Sequence, residues 1–236
     1  MQDYKAERIK HQLLLLKRQK LEALQMRRWE RMLTTPDEEE SLNIFMFEFA
    51  KTFDPLDEKR PVKHFPDKEY LRDLNHAFIT ERLLVVPKSR QMLCTWWAVT
   101  CFVWDSIRHR GRFTLFKSID REHSGVGRLG LLWRAEFILK QLPDCVRPRY
   151  KAPTKRNLVL EFVENDAEIR AMSMEGEAPA GYTATGVLDD ELARQQYGEA
   201  GFAAIMPLLG DTGRYVTLFT YMGLNFAYRL AHDKFD

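Results

Sequence analysis

Between Arg82 and Trp104 the chain runs from a short apolar stretch, RLLVVP, through the polar loop Lys88-Ser89-Arg90-Gln91 into a second apolar stretch that is richest from Thr95 to Trp104. That second stretch is only about half the ~20 residues a membrane-spanning helix needs, so a membrane partner is not expected. A strand and a helix that both lack a polar face are accommodated together where helices cover both faces of a largely parallel sheet. The rest of the chain repeats the alternation. Arg82–Pro87 and Phe113–Phe116 read as short buried strands, and a helix of good formers runs from about Leu129 to Leu142. Asn157–Val163 and Ala167–Ser173 flank Glu164, Asn165 and Asp166 as a hairpin, and Thr185–Leu188 and Arg214–Phe219 supply two more strands. The predicted class is α/β, a mostly parallel sheet flanked by helices, with an N-terminal helical arm.

With 236 residues, 45% of them hydrophobic and 30% charged, the chain is sized for one main domain and is too apolar for disorder throughout. Its basic N-terminus leads into no signal-peptide core, so a soluble intracellular protein is expected. Cys94, Cys101 and Cys145 lack both zinc-site spacing and the density of a disulfide framework, and read as reduced thiols. From Asp3 to Leu33 there is neither Gly nor Pro, and Ile9, Leu13, Leu16, Ala23 and Leu24 fall at helical spacing, which predicts a long amphipathic helix. Thr35, Pro36 and Glu38 spell a capping box for a second helix, whose apolar face is Leu42, Phe45, Met46, Phe49, Ala50 and Phe53. Pro55–Pro66 is then a charged connection. We therefore divide the chain into a basic helical arm, 1–34, and a main domain, 35–236. The first 32 residues carry nine Lys/Arg against four Asp/Glu, and residues 33–59 carry eight acids against two bases. The basic arm is either a solvated helix face or a surface for a polyanion or an acidic partner.

Three stretches carry chemistry. In the first, a helix N-terminus following a strand presents backbone N–H groups to phosphate oxygens, Lys88 and Arg90 add positive charge, and Thr95 offers a hydroxyl to Mg²⁺. Measured against GxxxxGK[ST], Thr95 stands at the Ser/Thr position, while Cys94, Leu93 and Lys88 occupy the Lys and two Gly positions. The same residues are also compatible with a strand-to-helix turn bearing exposed bases. The second is Gly186-Val187-Leu188-Asp189-Asp190-Glu191, in which adjacent carboxylates end an apolar run. One would hold Mg²⁺ and the next would orient an attacking water; the other reading is a helix N-cap. The third, Tyr215 to Gly223, ends a strand in Thr220 at the edge where open α/β sheets bind ligands.

Together these stretches resemble the ATPase domain of the large terminase subunit, the motor that packages DNA into the procapsids of tailed bacteriophages. The loop KSRQMLCTWW is similar to that family's deviant Walker A, which often reads RQMG and can carry its lysine at the start. Ala180-Gly181-Tyr182-Thr183-Ala184 ahead of Asp190-Glu191 resembles RGYTA ahead of the Walker B carboxylates, and Phe219–Leu230 resembles the STPNG coupling motif with its NFFYRL tail. The resemblance spans roughly Phe65 to Leu230 and implies a P-loop NTPase fold and Mg²⁺-dependent hydrolysis of ATP. Carried over residue by residue, it implies Lys88 on the β/γ-phosphates with Ser89 and Gln91, Thr95 and Asp190 on Mg²⁺, Glu191 as the catalytic carboxylate and Arg90 on the transition-state charge. It further implies Phe65, Pro66 and Tyr70 at the adenine, and Thr220 with Gly223 coupling hydrolysis to movement. The partners implied are double-stranded DNA, the small terminase subunit, the portal protein and further copies in a ring, in the host cytoplasm. The sequence departs from the family at Leu93, where glycine is usual, at Ala180 for arginine, at Asp189 in a normally apolar lead, and at Tyr221-Met222 for Pro-Asn. Terminases carry a nuclease domain after the ATPase, and with Asp236 six residues past Leu230 none is expected here. A non-hydrolysing nucleotide-binding or assembly module and a helicase-like ATPase are the rival readings.

Overall fold

The computed structural model describes residues 2–172 and 183–232. Helix α1 (Gln2–Thr34) leads into α2 (Glu38–Ile44), which continues through a π-helical turn, Phe45–Phe49. Strands β1 (Lys51–Phe53) and β2 (Val62–His64) pair antiparallel. Then come α3 (Glu69–Thr80), β3 (Leu83–Pro87), α4 (Cys94–Arg108), β4 (Phe113–Lys117), α5 (Arg121–Ser124), α6 (Leu131–Gln141), β5 (Tyr150–Lys151), β6 (Val159–Phe162) and β7 (Ala167–Ala171). The described chain closes with β8 (Gly186–Asp190), a 3-10 turn (Leu192–Arg194), α7 (Gly198–Ile205), a second 3-10 turn (Met206–Leu209), β9 (Arg214–Phe219) and α8 (Phe226–His232).

Seven strands form one sheet in the order β3-β9-β8-β4-β7-β6-β5. The first five run parallel, and β6 and β5 are added antiparallel at one edge. Alternate residues of the parallel strands face opposite helix layers, as the two-residue period of a strand requires. Phe116, Leu188, Val216 and Leu218 join the larger core around α4, whereas Leu115, Val187 and Tyr215 join a second cluster with Ile205 and Leu209. The sheet is thus the middle of three layers, and α4 is packed on every side. Thirteen of its fifteen residues are buried, which is why its sequence shows no polar face. Gly186 lets α4 approach: a Cβ there would stand 2.5 Å from the Phe102 ring.

A helix buried this completely needs partners for its polar atoms. The Trp97 Nε1–H donates to Asn75 Oδ1 at 2.8 Å, and Asn75 Nδ2 in turn donates to Asn43 Oδ1 at 2.9 Å. The Trp104 Nε1–H donates to Ser41 Oγ at 3.0 Å. These bonds tie α4 to α3 and α2, and Asn75 itself is wholly buried.

The N-terminal region differs from the sequence expectation in two ways. Helix α2 starts at Glu38, not beside Thr35: Asp37 is the N-cap, accepting from the Glu40 N–H at 3.0 Å. Glu40 supplies the second half of the motif, since the Thr35 hydroxyl donates to its Oε2 at 3.0 Å and Arg31 pairs with its Oε1. The cap therefore lies two residues later, where a carboxylate can reach the first turn. In α1, Leu13, Leu14, Leu15 and Leu16 are 47–57% exposed and, at about 100° per residue, point round the helix, so this part is not a one-sided amphipath. Its last turns do join the core: Met32 is fully buried, and Trp29 meets Phe49 edge-on at a centroid distance of 5.2 Å. Arg28 and Arg31 pair with Glu48 and Glu40, so two cations at the end of the basic arm meet acids of the following segment within the chain.

Asn75→Ala leaves the Trp97 N–H and the Asn43 carbonyl without their partner in a dry core, and we expect it to cost about 2–4 kcal/mol. Urea unfolding of parent and variant measures this; a loss below about 1 kcal/mol would show that the bond chain does not hold α4.

Candidate functional site

Because β3, β9, β8 and β4 run parallel, their carboxyl ends meet at one edge of the sheet. In register, Pro87 lies beside Phe219, Leu218 beside Asp190, and Asp189 beside Lys117. The Lys88 N–H continues the ladder by donating to Phe219 O at 2.8 Å. The cation loop after β3, the carboxylates ending β8 and Thr220 after β9, far apart in sequence, therefore share one edge.

A cavity of 670 Å³ opens at this edge, within the range of small-molecule sites. Lys88, Ser89, Gln91 and Thr95 line it, as does Pro66. The β1–β2 hairpin forms another wall through Phe53, Asp54, Lys63 and His64, and α6 contributes Arg134. Phe65 does not line the cavity; it lies in the core, 4% exposed. Tyr70 reaches the loop from outside, its hydroxyl donating to Met92 O at 3.1 Å. Arg90 is exposed and does not line the cavity.

Two contacts connect the cavity lining to the carboxylates. Lys88 Nζ donates to Glu191 Oε1 at 3.0 Å, and the Thr95 hydroxyl donates to Asp190 Oδ2 at 3.2 Å. The other Glu191 oxygen faces Arg194 Nε at 3.5 Å. Burial pushes the Asp190 carboxyl up to about 6 and the neighbouring Glu191 acts the same way, against the pull of Lys88, Arg134 and the Thr95 hydroxyl. Asp190 and Glu191 thus differ in environment although they are adjacent: one is enclosed, the other a quarter exposed at its side chain.

The loop keeps a backbone that suits glycine without having one. Leu93 sits at φ +56° and Gln91 at φ +65°, both left-handed, and Glu191 is at φ +59°. Such a conformation costs a residue with a Cβ about 1–2 kcal/mol, and clusters of it mark sites whose surroundings impose the shape. Leu93 precedes α4 with no side-chain cap, so the first N–H groups of the helix are not claimed by a capping side chain. After β9, Gly223 (φ +74°) turns the chain, and Asn225 Nδ2 donates to Ala193 O at 2.8 Å. Thr220 is half-buried at the start of this segment. Ala180, Gly181 and Tyr182 of the segment before β8 lie outside the described residues; Thr183 and Ala184 are described, and Ala184 is buried.

Asp189, unexpected in an apolar lead, has a partner on the next strand. Lys117 Nζ donates to its Oδ2 at 2.9 Å, as does the Tyr215 hydroxyl, also at 2.9 Å, and Gln195 bridges Asp189 to the Asp190 carbonyl. The pair is nearly closed to solvent, with side-chain exposures of 7% and 0%. Sequence reading missed this cluster, the hairpin wall and Arg134. A lysine ending one apolar strand and an aspartate within another was the available signal for the first; the other two left none.

Two expectations follow. Asp190 keeps its proton to about pH 6 when folded, against 3.8 as its ordinary value, so the folded state binds more protons in between. The stability it contributes is complete below that ordinary value and is lost as pH rises through about 6, by roughly 3 kcal/mol at one unit per 1.36 kcal/mol. Asp190→Asn should therefore melt several degrees above the parent at pH 8, a gap that narrows toward pH 5; a constant gap would contradict the burial. Separately, Lys117→Met and Asp189→Val should each cost about 3–5 kcal/mol by stranding a buried charge, with the double variant closer to the parent than either. Additive losses in denaturant titrations would show that the two do not act as a pair.

A scan against protein-family models found no match, and a search of curated proteins found none. Among solved structures, the large terminase of bacteriophage HK97 superposes with a TM-score of 0.60 at 13% identity, covering 80% of this chain and 39% of that one. The large terminase ATPase domain of Thermus phage P74-26 superposes with a TM-score of 0.58 at 19% identity, covering 70% of this chain and 69% of that one. This chain spans well under half of the HK97 protein and has the fold of phage large-terminase ATPase domains, an α/β architecture with a mostly parallel sheet flanked by helices.

Proposed function

We propose that this chain is an ATP-hydrolysing motor module of the kind found in phage terminase large subunits, driving double-stranded DNA into a procapsid. One observation carries the reading: Lys88 and Thr95, which line a single cavity, are bonded to Glu191 and Asp190 respectively at the carboxyl edge of a parallel sheet. That is the arrangement phosphoanhydride hydrolysis requires, a cation and a hydroxyl for the phosphates and metal, and a carboxylate in reach of the attacking water. The donors fit Mg²⁺, since a hydroxyl and a carboxylate are hard oxygen ligands and a nucleotide's phosphates would complete the set. Bound there, Mg²⁺ would offset charge on the phosphate oxygens.

The chain's own residues then have distinct tasks. Lys88, Ser89 and Gln91 bind the phosphates, Thr95 and Asp190 hold the metal, and the hairpin with Pro66 borders the base end. A phosphate that takes Lys88 releases Glu191 Oε1, which then accepts a proton from the attacking water. Asn225 ties the turn carrying Glu191 to the segment of Thr220 and Gly223, giving a route for coupling. The small terminase subunit, the portal protein, a ring of copies and the host cytoplasm belong to the same reading.

A second reading, nucleotide binding or assembly without hydrolysis, is favoured by Leu93, whose side chain occupies the approach that glycine leaves open. Steady-state hydrolysis of Mg-ATP, with and without double-stranded DNA, separates the two. We expect turnover by the parent and losses of about 10²-fold or more in Glu191→Gln and Lys88→Ala. Binding of Mg-ATP with equal, background turnover in all three proteins would select the second reading. Absence of binding would sink the motor reading and leave only the assembly module.

A further inference from the structure

Arg134 is the cavity-lining cation that no motif pointed to. It stands in the second turn of α6, and its guanidinium is fixed from two sides. Nε–H donates to Leu129 O at 2.8 Å, and Cζ lies 4.7 Å from the centre of the Trp96 ring. The turn before α6 sets the first of these contacts. Leu129 is held left-handed at φ +65°, and Gly130 packs so tightly under Gly125 O that a Cβ would come within 2.5 Å. With Nε and one face engaged, the terminal nitrogens remain to meet whatever occupies the cavity.

The charge balance of the guanidinium is incomplete. Among the described residues no carboxylate is ion-paired with Arg134, whereas Lys88 has Glu191. Burial pushes the guanidinium down to about 10, and only the charge of Asp190 opposes that shift. It stays protonated at neutral pH, so it is a desolvated cation with little negative charge facing it. A planar fork of N–H donors in that state suits the oxygens of a phosphate group.

We propose that Arg134 binds the phosphate tail of the nucleotide from the α6 side of the cavity, and that it, not Arg90, is the arginine that offsets charge on that tail. This rests on the nucleotide reading above. Arginine contact with several phosphate oxygens makes the effect scale with phosphate number, which a purely structural role through Trp96 would not.

The test is calorimetric titration of the parent, Arg134→Gln, Arg134→Lys and Arg90→Gln with ATP, ADP and adenosine, each with Mg²⁺. We expect Arg134→Gln to lose at least tenfold in ATP affinity, less for ADP and nothing for adenosine, with Arg134→Lys intermediate. Far-UV circular dichroism and melting establish that the variants fold; if the glutamine variant does not, the lysine variant carries the test, since it keeps the charge and loses the fork. Equal losses for all three ligands would overturn the proposal, as would unchanged ATP affinity in a folded Arg134 variant or a larger loss in Arg90→Gln. In each of those outcomes the parent still binds ATP and the nucleotide reading survives. A parent that binds none of the three removes both.

Discussion

Complete burial of α4 is the constraint from which the site's geometry descends. A helix with no solvent face gains from apolar contact on all sides, at about 25 cal/mol per Å² removed from water, but every polar atom it carries must find a partner in the core. Asn75 and Ser41 are those partners for Trp97 and Trp104, and they fix the helix in rotation as well as position. The loop between β3 and α4 has to join an immobile strand to an immobile helix in six residues. Two residues of that connection, Gln91 and Leu93, take left-handed backbone.

At the sheet edge, charges are paired in a way that anticipates exchange. Lys88 bonded to Glu191 satisfies both, yet neither is deeply enclosed, and an anion in the cavity competes for the same lysine. Asp190 is the opposite case. Enclosed and short of compensation, it gains from any cation brought against it. A ligand carrying both a divalent cation and phosphate oxygens meets both needs at once, while the enclosed Lys117–Asp189 pair, between β4 and the strand that ends in Asp190, stays closed to solvent.

The α/β class was legible because buried parallel strands read as unbroken apolar runs, and Arg214–Phe219 matches its predicted span to the residue. So were Lys88, Thr95, Asp190 and Glu191, because loop cations and strand-end carboxylates interrupt those runs. Other features were illegible for physical reasons. The hairpin strands KTF and VKH are three residues each and two-thirds polar, too short to show a period. The Lys117–Asp189 pair joins positions 72 apart, so the polar residue in each apolar strand is visible but their pairing is not. Arg134 on a helix looks like any surface arginine until the fold turns it toward the cavity. Phe65 was misplaced because an aromatic beside a proline has the same appearance whether it stacks on a base or fills a core.

The bond from Asn225 to the Ala193 carbonyl joins the turn that holds Glu191 to the cap of α8, since Asn225 Oδ1 also accepts from the Tyr228 N–H. A link of this kind has no preferred direction. Whatever displacement of the carboxylate reaches α8, an equal free energy of coupling returns from α8 to the carboxylate. Under the reading proposed above, a force applied to α8 would therefore bear on Glu191 through Asn225, and resistance there would slow the chemistry.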